Sequence, residues 1–182
     1  MVVTALAVGI GVLMTAPPRP APVDPLAARL AAADTTAMTV RRVPFCDEVG
    51  DATAAAALGG PVTARTAWQP GDRVAVSGRV KDIADEYGCS WATASGARAR
   101  AWVFAPPVTP ERAAELATAK PTAGCTPVSR MPAYGAPTSA LTCGDRTVVR
   151  GLFGDAWLTC ELTSHDLDLV GRWCLAVARA AG

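Results

Sequence analysis

The chain has 182 residues and a formal charge of +1, with no basic run longer than Arg41-Arg42, which argues against a nucleic-acid binder. Hydrophobic residues make up 51% of it, but many are alanine and only 5% of residues are aromatic, so the core is built from small side chains around a few large ones. At roughly 25 cal/mol per Å² of apolar surface buried, such a core leaves a modest surplus over chain entropy, and covalent cross-links would supplement it.

Residues 2–16, VVTALAVGIGVLMTA, carry no charge. The run is too short for the ~20 residues of a membrane span and fits the apolar region of a signal peptide. Segment 1–16 is therefore expected to be a signal peptide. Pro17 and Pro18 stand where a clean cleavage site would be, which leaves an uncleaved N-terminal anchor as the alternative and this segment as the route to a membrane. No cysteine precedes Cys46, so a lipid-attachment cysteine is lacking near the leader. Residues 17–39 read as a Pro/Ala-rich linker. PPRPAPVDP is polyproline-like, and LAARLAAA (26–33) makes a helix too short to stand alone. The folded domain is then 40–182.

Within it, Cys46–Leu58 predicts a helix, with Asp47 and Glu48 at its positive end and Gly59-Gly60 stopping it. After the turn Pro70-Gly71-Asp72, Arg73–Val80 holds a short strand and Lys81–Tyr87 a polar bend or one helical turn. Gly88–Thr93 and Ala97–Ala105 bracket Ala94-Ser95-Gly96, a hairpin signal. Thr109-Pro110-Glu111 starts a helix that runs to about Lys120, and 121–136 is an irregular loop. Thr138–Cys143, Thr147–Phe153 and Ala156–Leu162 are separated by short Gly-Asp turns and form an antiparallel meander. Thr163 or Ser164 caps a last helix that runs to about Ala180. The expected fold is α+β: an antiparallel sheet of about five strands, with three helices mainly on one face.

The six cysteines, 46, 89, 125, 143, 160 and 174, all lie in the domain, and none are spaced as a zinc knuckle. An even count behind an export signal reads as three disulfides, for which six cysteines allow fifteen pairings. Leu167, Val170, Cys174 and Val177 recur at helical spacing, which turns Cys174 inward toward the strand that carries Cys160. Cys125 and Cys143 flank one loop, while Cys46 opens the first helix and Cys89 the first good strand. The expected pairing is sequential: Cys46–Cys89, Cys125–Cys143 and Cys160–Cys174.

Three places invite chemistry. His165, the single histidine, lies beside Asp166 and Asp168, a pair suited to acid–base work in a cell-wall-directed hydrolase or transferase. No nucleophile motif accompanies it, and the plain reading is the first turn of a surface helix. Asp82, Asp85 and Glu86 crowd a bend, yet they lack calcium-loop spacing and adjoin Lys81, so a solvated turn is the better reading. No metal or cofactor is expected.

The strand Ala97–Ala105 is more informative. Its odd positions are Ala97, Ala99, Ala101, Val103 and Ala105; its even positions are Arg98, Arg100, Trp102 and Phe104. The small face admits a close-packed helix. The other sets arginines beside aromatics, able to stack and to bind an anion. Arg98, Arg100, Trp102 and Phe104 are the candidate ligand residues; the plain alternative makes the aromatics a core anchor with the arginines in solvent.

Four stretches, EYGCSW (86–91), ARAWVFAPPV (99–108), GLFGDAWLTCEL (151–162) and RWCLA (172–176), together resemble secreted or lipid-anchored actinobacterial cell-envelope proteins of unknown function. The Cys89–Trp91 element is similar to the Cys-x-Trp of a wider actinobacterial lipoprotein domain. The resemblance spans about residues 44–180 and implies an extracytoplasmic α+β domain. It brings no assigned activity and no functional residues. With no catalytic constellation in view, the expected function is a non-enzymatic binding or accessory module of the cell envelope, its partner an envelope protein or ligand.

Overall fold

The computed structural model describes residues 24–77 and 80–182; the expected leader (1–16) and the start of the linker (17–23) lie outside the described residues. In chain order the strands are β1 (Ala64–Trp68), β2 (Arg73–Ser77), β3 (Val80–Ile83), β4 (Glu86–Ala92), β5 (Arg98–Phe104), β6 (Cys125–Pro127), β7 (Thr138–Cys143), β8 (Arg146–Phe153) and β9 (Ala156–Leu162). The helices are α1 (Cys46–Val49), α2 (Asp51–Leu58), α3 (Pro110–Thr118) and α4 (Leu167–Ala180). Among the described residues, seven strands form one antiparallel sheet in the order β1-β4-β5-β9-β8-β7-β6, and β2 pairs with β3 as a separate ribbon.

The α+β class and the hairpin and meander are as expected, but the counts differ: seven sheet strands rather than about five, and four helices rather than three. Each difference has a local cause. β1 is an edge strand whose first four residues are all exposed, so it carries no burial pattern to read. β6 is three residues long and is held to β7 by the Cys125–Cys143 bridge. The expected helix Cys46–Leu58 breaks at Gly50, whose φ of +71° lies in the left-handed region that glycine tolerates. Lys81–Tyr87 is not a bend or helical turn, because β3 and the start of β4 occupy it.

Alternation along the strands divides the sheet into two unlike faces. Ala99, Ala101 and Val103 of β5 lie level with Leu162, Cys160 and Leu158 of β9, and all six are fully buried. α2 and α4 pack on this face, and α1 lies against α4. Trp91 of β4 meets Trp173 of α4 edge-to-face, with ring centroids 5.5 Å apart, and its indole N–H donates to Asp51 at 3.2 Å. Small alanines in the sheet leave the room that these two indoles fill. The other face is covered at one end by α3, where Ala113, Leu116 and Ala117 pack on Leu152, Trp157 and Phe104.

The three disulfides have the sequential pairing expected. Cys46–Cys89 ties α1 to β4 and Cys160–Cys174 ties α4 to β9, so two of the three fasten the helical layer to the sheet. Residues 24–39, expected as linker, pack on the domain ahead of Val40. Leu26 and Leu30 are buried in the core, and Leu30 sits so near Gly171 of α4 that a Cβ there would stand 3.1 Å from it. The Thr35 hydroxyl donates to the carbonyl of Ala133 and accepts from the Gly135 N–H, both at 3.0 Å. The sequence pattern hides this because Leu30 docks from a short 3-10 turn, Leu30–Ala32, and Leu26 from outside any helix.

Loop closure ranks the bridges, since Cys46–Cys89 spans 43 residues and Cys160–Cys174 only 14. Replacing Cys46 and Cys89 together by alanine should cost about 4 kcal/mol in urea unfolding, against about 3 kcal/mol for Cys125 with Cys143. Equal or reversed costs would contradict the ranking.

Tyr134 supplies a pH signature. It is fully buried edge-on to Phe153, and its hydroxyl has no hydrogen-bond partner among the described residues. Burial raises its pKa well above the ordinary phenol value of 10.0. The folded-state pKa being the higher one, the contribution to stability is complete below about pH 10 and is lost as pH rises beyond it. Tyr134→Phe should match wild-type stability at pH 7 or exceed it by about 1 kcal/mol, and should lessen the alkaline fall in the urea midpoint.

Candidate functional site

The face of the sheet turned away from α1, α2 and α4 carries the even residues of β5. Arg98 is exposed, and Arg100 and Trp102 are half-buried. Phe104, named with them from the sequence, separates from the group: it packs under α3 against Trp157 and Leu152 and belongs to the core. The register then adds residues from other strands. Arg100 lies level with Ser90 and Glu161, and Trp102 with Gly88 and Thr159. Thr159 lies level with Arg150 of β8, and Gly88 with Trp68 of β1. Arg146 shares the face with Arg150, four residues along β8.

Arg100 is the centre of this arrangement. Its guanidinium carbon is 5.1 Å from the Trp102 ring centroid and 5.6 Å from that of Trp68, so two indoles flank one cation. Each contact contributes about 0.5–1 kcal/mol at an exposed site and more as water is excluded. Gly88 makes the clamp possible. A Cβ there would stand 2.3 Å from Cζ2 of Trp68 and 2.9 Å from Cβ of Trp102, so only glycine lets the Trp68 ring lie across β4. The Trp68 indole N–H donates to Glu86 at 3.2 Å, which fixes its tilt.

Beside the clamp sits a carboxylate. The Glu161 side chain is 8% exposed, 4.0 Å from Nη1 of Arg100 and 3.4 Å from Nε of Arg146. Arg150 feels it too: burial lowers the Arg150 pKa from the usual guanidinium value, and the attraction of Glu161 opposes that shift. Arg98, Arg100, Arg146 and Arg150 thus share a face with Glu161 at their centre and with Glu86 at the Trp68 end, and Arg98 and Arg150 make no ion pair among the described residues. The chemistry offered is recognition of an oxyanion by oriented guanidinium groups.

The other sequence candidates do not assemble. His165 is exposed in the connection before α4, and the Asp166 carboxylate beside it is engaged in capping, accepting from the N–H groups of Asp168 and Leu169. Asp82 accepts from the N–H of Ile83, and Glu86 from Trp68 and the N–H of Asp85. Among the described residues, no group of three or more His, Cys, Asp or Glu is placed to hold a metal ion, and no helix is long and apolar enough to cross a membrane. Two clefts are lined by described residues, and the second adjoins the clamp at Trp68. One of about 440 Å³ runs between the segment around Pro25 and α4, lined by Arg41, Glu48, Arg172 and Arg179. The second, of about 290 Å³, lies between Phe45 and Trp68 beside Asp47 and Asp72.

Sequence reasoning found the β5 residues and missed Trp68, Arg146, Arg150 and Glu161. The signal for the β8 pair was its own alternation, Arg146-x-Val148-x-Arg150-x-Leu152, which becomes informative only when the β8–β9–β5 register is known. A scan against family models finds no match, and neither the curated proteins nor the solved structures give one.

Gly88→Ala should expel the Trp68 ring from its place beside Arg100, lowering stability by about 1–3 kcal/mol and altering the near-ultraviolet tryptophan dichroism. An unchanged spectrum and unchanged stability would show that the clamp is not formed.

Proposed function

We propose that this chain is an exported cell-envelope domain that works by binding, with the open arginine–tryptophan face as its contact surface. The observation that carries the reading is Arg100, held between Trp68 and Trp102 on the side of the sheet that the main helical layer leaves uncovered. A fold uses few half-buried cations flanked by aromatics for stability alone, because burial of arginine is costly and an apolar residue would fill the site as well.

Three disulfides suit an oxidising, extracytoplasmic location. The resemblance to secreted or lipid-anchored actinobacterial envelope proteins, and an apolar leader acting as signal peptide or anchor, support the same setting. The acid–base alternative at His165 draws no comparable support, since its neighbouring carboxylate is spent on a helix cap.

The test is co-sedimentation of the oxidised protein with envelopes isolated from the source organism. Wild type should pellet with them, and the double variant Arg100→Ala, Trp102→Ala should remain at least about tenfold more in the supernatant. Equal pelleting of the two would place the contact surface elsewhere.

A further inference from the structure

Resting on that binding reading, we propose that the open face docks an acidic glycan, a linear sugar polymer bearing carboxylate groups. Charge is the first argument. The whole chain carries a formal +1, yet four arginines gather here against two glutamates, Glu161 among them and Glu86 held by Trp68. Arg98 and Arg146 stand in the same cross-strand row, Arg100 and Glu161 in the next, and Trp102 and Arg150 in the third. Strand geometry separates neighbouring positions along β5 by about 7 Å, and β5 from β8 by about 10 Å. Cations spread at that interval suit charges repeated along a polymer better than one small anion.

Preorganisation is the second argument. Arg100 already lies within cation–π distance of two indoles, and Glu161 already pairs with Arg100 and Arg146, so the entropy of fixing long side chains is met before a ligand arrives. Glu161 also shows which anion the site fits, because its own carboxylate is held by these guanidinium groups.

The uncharged part of the face adds to this. Thr66, Ser90 and Ser139 supply hydroxyls, and Trp68 and Trp102 supply flat apolar surface, a combination suited to sugar rings. A membrane would call for exposed apolar wedges. The large hydrophobic residues exposed among those whose burial is described are Val43 and Ile83, neither of them in a strand of this sheet.

The experiment titrates the full, oxidised chain with fluorescently labelled oligogalacturonate, and in parallel with dextran, polyphosphate and a single-stranded oligonucleotide. Oligogalacturonate should bind in a salt-sensitive manner, and dextran should not. Exposed Arg98 is the safest position to change: Arg98→Glu should weaken binding about tenfold with the fold intact by circular dichroism. No binding of oligogalacturonate, or equal binding by Arg98→Glu, overturns the proposal. Polyphosphate or the oligonucleotide binding as tightly as oligogalacturonate also overturns it, in favour of unselective polyanion or nucleic-acid contact. If envelope sedimentation still depends on Arg100 and Trp102 while oligogalacturonate fails, the glycan falls and the binding reading stands.

Discussion

Along β5, Ala99, Ala101 and Val103 point to one side of the sheet, and Arg98, Arg100 and Trp102 to the other, because successive side chains of a strand alternate. The small side admits a helical layer at close range, and Trp91 and Trp173 fill the space that the alanines leave. The large side cannot be covered in the same way without burying guanidinium groups, at a cost of several kcal/mol each when unpaired. α3 covers only the end where β5 has turned apolar, at Phe104 beside Leu152 and Trp157. The open face is therefore a consequence of the same alternation that builds the core.

A core so rich in alanine buries less apolar area per residue than one of leucine and phenylalanine, and the placement of the disulfides answers that weakness. Two of the three run across the interface between helices and sheet, tying α1 to β4 and α4 to β9. The third pins the three-residue β6, which has too few ladder hydrogen bonds to hold itself. Two of the pairs, Cys125–Cys143 and Cys160–Cys174, were legible because they lie in consecutive elements, which usually pack together, and Cys46 and Cys89, in α1 and β4, are the pair that remains.

The central hairpin, the meander, the α3 start at Thr109-Pro110 and the two-faced character of β5 were legible because they rest on period-two alternation and local turn or cap chemistry. β1 was not, since an exposed edge strand has no buried face to impose a pattern. Nor was the docking of Leu26 and Leu30, which depends on a gap opposite Gly171 that only the folded chain creates. Half of the candidate site was hidden for the same reason. Trp68 reaches Arg100 only because Gly88 on the strand between them lacks a side chain, and Arg146 and Arg150 reach it only through the register of β9.

The binding face depends on Arg100 being held still, rather than waving in solvent as surface arginines do. Nitrogen-15 relaxation of the arginine Nε–H groups in the oxidised protein measures this directly. An order parameter for Arg100 near the rigid-backbone value of about 0.85, well above that of exposed Arg98, is the predicted result. A value for Arg100 below about 0.6, like that of a free side chain, would contradict the clamp and with it the prepared binding face.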